Sequence, residues 1–339
     1  MKFLIIGPSW VGDMVMAQAL FISLRHQHPD AAIDVLAPHW CRELLQRMPE
    51  VRHALTLDIG HGELGLGKRW KLGKVLAKEG YDQAIVLPNS FKSALIPLFA
   101  RIPVRTGWRG EARNVLLNDC RRLDKSRYPL MVERFVALAY PEGQPLPQPL
   151  PRPALQVDAN QTASLRAKLQ LNDVRPILVL CPGAEFGPSK QWPETSFAEV
   201  ARHHIAAGHQ VWILGSAKDK EVGVRIGAQL LPEQARYCFN LCGLTSLGDA
   251  IDLMAAANAV VSNDSGLMHV AAALGLPLVV VYGSTSAGFT PPLADRVRTL
   301  SLQLSCSPCF KRTCPLGHHN CMKQLHPNQV IGALAELSN

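Results

Sequence analysis

At 339 residues the chain is long enough for two domains of ordinary size. Apolar residues make up 47% and charged residues 18%, which excludes a disordered chain and predicts packed cores. The net charge of +8 is uneven: residues 1–150 carry 20 Lys and Arg against 14 Asp and Glu, so this half suits an anionic partner or is simply a basic solvated face.

Residues 1–6 hold one lysine and run into Gly7, Pro8 and Asp13, too short and polar for a signal peptide. No later run approaches the ~18 apolar residues of a membrane span. The expected location is cytoplasmic, with at most peripheral membrane contact. Nine cysteines in that compartment are expected as reduced thiols or metal ligands rather than disulfides.

In chain order, residues 3–6, 33–36 and 84–87 read as buried strands, each ending at Gly or Pro. Between the first two, Met16, Leu20 and Leu24 form a helical stripe. Strand, helix, strand at this rhythm means a parallel sheet with helices on both faces. Residues 141–153 contain six prolines, which neither helix nor central strand tolerates, so they read as a linker. The pattern then restarts, with strands at 177–181, 211–214, 259–262 and 278–282. Helices fit at 195–207, 218–230, 247–257 and 266–274, and a last helix at 328–337. The expected fold is α/β: two Rossmann-like doubly wound domains, with a ligand cleft at the carboxyl ends of the strands.

Six segments carry chemistry. Gly7-Pro8-Ser9-Trp10-Val11-Gly12-Asp13 follows the first strand and opens a helix, a turn that lets backbone N–H groups approach an anion or sugar. Asp13 is either an N-cap or a carboxylate placed to take a proton from a hydroxyl. Leu87-Pro88-Asn89-Ser90-Phe91-Lys92-Ser93-Ala94 offers Asn89, Ser90 and Lys92 for hydroxyls and phosphates, or a capped helix with a solvated lysine. Thr106-Gly107-Trp108-Arg109-Gly110-Glu111 adds Arg109, with Arg105, Arg113, Arg121 and Arg122 nearby, or is an ordinary solvated loop.

The second half supplies the rest. Cys181-Pro182-Gly183-Ala184-Glu185-Phe186-Gly187-Pro188-Ser189-Lys190 joins a small-residue loop to a cation that could neutralise a diphosphate leaving group. Ser262-Asn263-Asp264-Ser265-Gly266-Leu267-Met268-His269 turns from a strand into a helix whose start suits phosphate. His269 alone reads as a packed helix residue. Cys306-x2-Cys309-x4-Cys314-x6-Cys321 is either a structural zinc site or a reduced thiol-rich loop. Cys41, Cys120, Cys181, Cys238 and Cys242 read as buried small apolar residues. The Gly7 segment lacks the glycine pattern of a dinucleotide site and the Cys181 segment that of a P-loop, which disfavours a nicotinamide dehydrogenase.

Together these segments other than the cysteine one, in order over nearly the whole chain, resemble the lipopolysaccharide heptosyltransferases of glycosyltransferase family 9. The resemblance implies the glycosyltransferase-B architecture, with two Rossmann-like domains facing across a cleft. It implies an acceptor domain at 1–153, an ADP-heptose domain at 154–326, and a last helix at 327–339 packing back on the first domain. It implies inverting transfer of L-glycero-D-manno-heptose from ADP-heptose to the first heptose of the inner core, heptosyl-Kdo2-lipid A. Asp13 would be the base and Lys190 the catalytic cation. Gly183, Ala184, Glu185, Ser189, Lys190, Thr245, Asp264, Ser265, Gly266 and His269 would hold the donor. Ser9, Trp10, Gly12, Asn89, Ser90, Lys92 and Arg109 would hold the acceptor. No cofactor is expected beyond Mg2+ as a stimulant, or zinc at the four cysteines. The expected partners are the lipopolysaccharide core precursor, ADP-heptose and the cytoplasmic face of the inner membrane. A monomer is expected, without nucleic acid. The alternatives are a paralogue with another core acceptor, a non-enzymatic sugar-binding protein, and a nucleic-acid or zinc module.

Overall fold

The computed structural model describes residues 1–60, 62–171 and 174–338. The chain divides into two compact units, Met1–Pro153 and Ala154–Asn339; Asn339 lies outside the described residues. The first unit contains β1 (Lys2–Ile6), α1 (Val11–Gln27), β2 (Ala32–Ala37), α2 (Arg42–Leu45), β3 (Val51–Thr56) and α3 (Leu66–Leu76). It continues through β4 (Gln83–Val86), α4 (Leu95–Phe99), β5 (Val104–Trp108), β6 (Asp119–Arg121) and α5 (Met131–Val136). Its strands are parallel in the order β3-β2-β1-β4-β5-β6.

The second unit opens with α6 (Ala159–Lys168), β7 (Ile177–Cys181), α7 (Glu194–Ala206), β8 (Gln210–Ile213), α8 (Lys220–Gly227), α9 (Pro232–Ala235) and β9 (Cys238–Asn240). It closes with α10 (Leu247–Ala255), β10 (Ala259–Asn263), α11 (Gly266–Ala273), β11 (Leu278–Val281), β12 (Val297–Leu300), α12 (Asn320–Lys323) and α13 (Pro327–Ser338). The order β12-β11-β10-β7-β8-β9 repeats the topology of the first sheet. In each unit the connections change direction between the first and fourth strands, the position where doubly wound sheets bind ligands beyond the strand carboxyl ends.

The central strands are continuous apolar runs because both faces are covered. Leu4 and Ile5 of β1 and Val179 and Leu180 of β7 are fully buried. Burying one such side chain contributes about 1.5–3 kcal/mol. Helix α1 is buried on nearly every side from Met14 to Leu24, more than the stripe Met16, Leu20, Leu24 implies, because α5 packs on it as well. It ends at His28, whose N–H reaches the Leu24 carbonyl at 2.8 Å just before Pro29.

The last helix packs within the second unit, and three expectations need correction. Val330, Ala333, Leu334 and Leu337 of α13 join the core of the second unit, where α13 meets α7, β11 and β12. The stretch 105–108 is strand β5 rather than loop. Its position beside β4 buries Thr106, Gly107 and Trp108 despite the weak strand sequence. Cys120 and Cys238 are half-buried, since they sit on the short strands β6 and β9. Asp13 is not an N-cap: Trp10 occupies that position, and Asp13 lies inside the first turn of α1, half-buried.

Candidate active site

In the first unit the loops after β1 and β4 meet at the change of strand order. Gly7 begins the first of them, and a larger residue would have to displace the end of the Met14 side chain. A Cβ there would lie 2.6 Å from Met14 Cε and 3.2 Å from Val35 Cγ1. The loop then presents Ser9, Trp10 and Gly12 before Asp13. The Ser9 carbonyl accepts from Trp40 Nε1 at 2.9 Å, and the Trp10 ring is 43% exposed. Trp10 offers no side-chain cap to α1, so the helix start keeps its positive partial charge close to Asp13.

The β4 loop is held from below by Arg113, a fully buried guanidinium. It donates to the Trp108 carbonyl at 2.8 Å, to Asn89 Oδ1 at 2.9 Å and to the Pro88 carbonyl. Burial lowers its pKa from the usual arginine value. The Asn89 carboxamide is thereby fixed. Neither Asn89 nor Ser90 caps a long helix; Ser90 precedes a single turn, Phe91–Ala94, without a side-chain cap bond. Lys92 Nζ reaches the Glu63 carbonyl at 3.3 Å rather than standing wholly in solvent. Arg109 emerges exposed just after β5, its backbone N–H on the Arg121 carbonyl at 2.7 Å.

In the second unit the loops after β7, β10 and β11 build a tighter cluster. Asp264, 4% exposed, accepts from Lys190 Nζ at 2.6 Å and from Thr285 Oγ1 at 2.5 Å. Asn263 ties the loops together: Oδ1 accepts from the Trp192 N–H at 3.1 Å, and Nδ2 donates to the Pro182 carbonyl at 2.6 Å. Lys190 Nζ also lies 5.0 Å from the Phe186 ring centre, within cation–π range. Ser265 precedes α11 with extended backbone and no side-chain cap bond, so the N–H groups starting at Gly266 keep their donors for a ligand. His269 is buried, and that burial lowers its pKa to about 4, with Asp264 raising it and Lys190 lowering it. A neutral imidazole cannot offset the charge of an anion, whereas the Lys190 ammonium can.

The other expected donor residues stand apart from this pair. A Cβ on Gly183 would meet the Asp219 carboxylate at 2.7 Å. The Ala184 carbonyl accepts from the Gly187 N–H at 3.2 Å, closing the turn. Glu185 is engaged with Lys218 at 2.6 Å on the surface. Ser189 is buried: its Oγ bonds the Lys311 carbonyl at 2.6 Å and lies 3.0 Å from Ser284 Oγ. Thr245 sits in the loop after β9, just before Ser246, the N-cap of α10. Thr285, Ser284 and Arg113 were not singled out from the sequence. Their signal was available for the first two, small hydroxyl residues directly after a buried strand next to the site. Among the described residues no group of three or more His, Cys, Asp or Glu is already arranged to hold a metal ion, and no helix is long and apolar enough to cross a membrane.

Comparison with known proteins gives a consistent result. Residues 69–320 match the family described as Glycosyltransferase family 9 (heptosyltransferase). The chain is 52% identical to Lipopolysaccharide heptosyltransferase 2 of Salmonella typhimurium, over 99% of this chain and 98% of that one. It is 48% identical to Lipooligosaccharide heptosyltransferase 2 of Haemophilus influenzae, over 99% of both. Among solved structures, that of E. coli ADP-heptose lps heptosyltransferase II superposes with a TM-score of 0.91 at 50% identity, covering 100% of this chain and 98% of that one. A glycosyl transferase family 9 structure from Veillonella parvula, 19% identical, covers 99% of this chain and 97% of its own with a TM-score of 0.85, sharing the fold.

Proposed function

This chain belongs to glycosyltransferase family 9 (heptosyltransferase), and from that premise we propose that it transfers L-glycero-D-manno-heptose from ADP-heptose to the first heptose of the lipopolysaccharide inner core. The observation that carries the site assignment is the buried Lys190–Asp264–Thr285 cluster beside the start of α11, at the change of strand order in the second sheet. It supports a diphosphate site: Asp264 and Thr285 hold the ammonium in place, and the free N–H groups of α11 lie alongside.

Asp13 takes the proton from a hydroxyl of the acceptor heptose. That oxygen attacks the anomeric carbon from the face opposite ADP, a new C–O bond forms, and the bond to the diphosphate breaks with inversion. The electron pair leaves on ADP, where Lys190 and the α11 amides stabilise the growing charge. Gly183, Ala184, Glu185 and Thr245 shape the remainder of the donor site, and His269 packs beneath it as a neutral group. Ser9, Trp10, Gly12, Asn89, Ser90, Lys92 and Arg109 meet the anionic acceptor. The enzyme works as a monomer at the cytoplasmic face of the inner membrane, with Mg2+ at most a stimulant.

The test is ADP release from ADP-heptose with heptosyl-Kdo2-lipid A or with heptose-free Kdo2-lipid A, for wild type and Asp13→Ala. Release that needs the heptosylated acceptor and drops at least ~10²-fold in the variant is the expected result. Turnover only with the heptose-free acceptor would assign a paralogue's step. No release with either acceptor in folded protein would remove the transferase reading.

A further inference from the structure

The segment Cys306 to Cys321 is the sequence motif to which glycosyl transfer gives no task. In the fold it surrounds a cavity of about 20 Å³, room for one water-sized or ion-sized body. The side chains of Cys306, Cys309, Cys314 and Cys321 all line it, together with His319 and Ser189. His319 Nε2 is buried there without a hydrogen-bond partner. A buried polar atom left in this way costs free energy unless something else satisfies it. The backbone N–H groups of His319, Leu316, Gly317 and His318 are directed at the Cys314 sulfur. Converging N–H donors of this kind are what a thiolate requires. Cys321 is within electrostatic reach of all three other sulfurs, so the four form one cluster rather than two distant pairs.

We propose that this cavity is a binding site for one thiophilic divalent transition-metal ion, of the zinc and ferrous class, held by the sulfurs of Cys306, Cys309, Cys314 and Cys321. Four thiols around an ion-sized space suit a tetrahedral soft-metal centre with metal–sulfur distances of about 2.3 Å. On binding, each thiol releases its proton to solvent and forms a metal–sulfur bond; no electron is transferred. Among the described residues the four sulfurs are not spaced as a metal site, so binding has to draw together the cysteines that line this one cavity. The resulting tetrathiolate carries excess negative charge, part of which the backbone N–H groups directed at Cys314 offset.

The loop also supports the donor site. Ser189 bonds the carbonyl of Lys311 at 2.6 Å through Oγ and that of Arg312 at 3.2 Å through its N–H, one residue before Lys190. The metal therefore stiffens the support of Lys190, although the site itself does not depend on the heptosyltransferase assignment.

The test uses full-length protein purified with reductant and without chelator from zinc- or iron-supplemented cells. Metal content is measured by plasma mass spectrometry, and Co2+ is titrated into chelator-stripped protein whose fold is checked by circular dichroism. One metal per chain and a thiolate-to-cobalt charge-transfer band are expected, with the preferred supplement identifying the metal. Both should be lost in the Cys309→Ser/Cys314→Ser variant and kept in Cys120→Ser, outside the cavity. Substoichiometric metal without a charge-transfer band in folded wild type would overturn the proposal. So would full metal retention in the double variant, or four cysteines that titrate as two disulfides in anaerobic protein.

Discussion

Lys190 and Asp264 test the site at the level of single side chains. The carboxylate is 4% exposed, and the lysine side chain 14%. Lys190→Ala should therefore act twice. Removing the cation that we propose faces the leaving diphosphate is expected to lower kcat by ~10²–10³-fold, the range for loss of one charge-stabilising donor. Stranding a buried carboxylate should also destabilise the second unit by about 3 kcal/mol. Steady-state kinetics and urea unfolding separate the effects; full stability with unchanged kcat would show that Lys190 does neither. Arg113 tests the first unit. Arg113→Met leaves the Trp108 carbonyl and Asn89 Oδ1 without the guanidinium donor, while the Pro88 carbonyl keeps Ser93 Oγ at 3.0 Å. At ~1–3 kcal/mol per unsatisfied group, a loss of about 3 kcal/mol or more is expected in urea unfolding, together with a higher acceptor KM. The sequence shows why Lys190 and Asp264 were legible and Arg113 was not. The first two lie in small-residue loops at strand ends, whereas Arg113 stands among several arginines, and only the fold reveals that it alone is fully buried.

The loops between elements hold these side chains to position, and Gly187 is the strictest point. Its φ of 153° is one that residues with a Cβ rarely adopt, and a Cβ there would meet the Arg312 carbonyl at 2.5 Å. Gly187→Ala should push the Pro188–Lys190 turn away from the cysteine loop and move Lys190 off Asp264. A displacement near 1 Å can cost ~10²-fold, so a large fall in kcat/KM is expected with only a modest loss of folded stability. Kinetics unchanged in the variant would place the turn outside the reaction. The same scale explains which elements could be read in advance. Strands β1, β2, β4, β7, β8, β10 and β11 are apolar runs with both faces covered, and their position within one or two residues follows from hydrophobicity alone. Strands β3 and β12 escaped because they are sheet edges with exposed middles, at Arg52 and His53 in one and Arg298 and Thr299 in the other. Strand β5 escaped because Gly107 and two polar residues precede Trp108. The apolar stripe of α13 was evident, but a stripe does not say which surface covers it; the fold places it over α7 and β11.

Acid response is a property of the whole molecule, because it sums over groups whose protons are held differently when folded. His204 and His269 are pushed down to about 4, chiefly by burial, with His209 and His203 adding to the effect on His204 and Lys190 to that on His269. Both His204 ring nitrogens are buried without partners. The unfolded chain binds protons at these histidines near their ordinary value of 6.5, while the folded chain does not. Their contribution is complete above pH 6.5 and is lost as pH falls from there toward 4. Asp34 and Asp119 add a second, lower window. Burial raises each pKa, but Arg52 and Tyr81 at Asp34, and Arg121 at Asp119, outweigh it and leave both pKa values below 3.8. Their contribution is present above 3.8 and disappears only as pH drops through their lowered folded values. Thermal unfolding should therefore show Tm falling in two stages, first between pH 6.5 and 4 and again below 3.8. Each kcal/mol lost should lower Tm by roughly 2–4 °C in units of this size. His204→Leu removes one source of the first stage and two unsatisfied nitrogens. It should flatten that stage, leave the second unchanged, and raise Tm at pH 5 more than at pH 8. A variant with the same slope as wild type between pH 6.5 and 4 would mean that His204 finds solvent or a proton in the folded state.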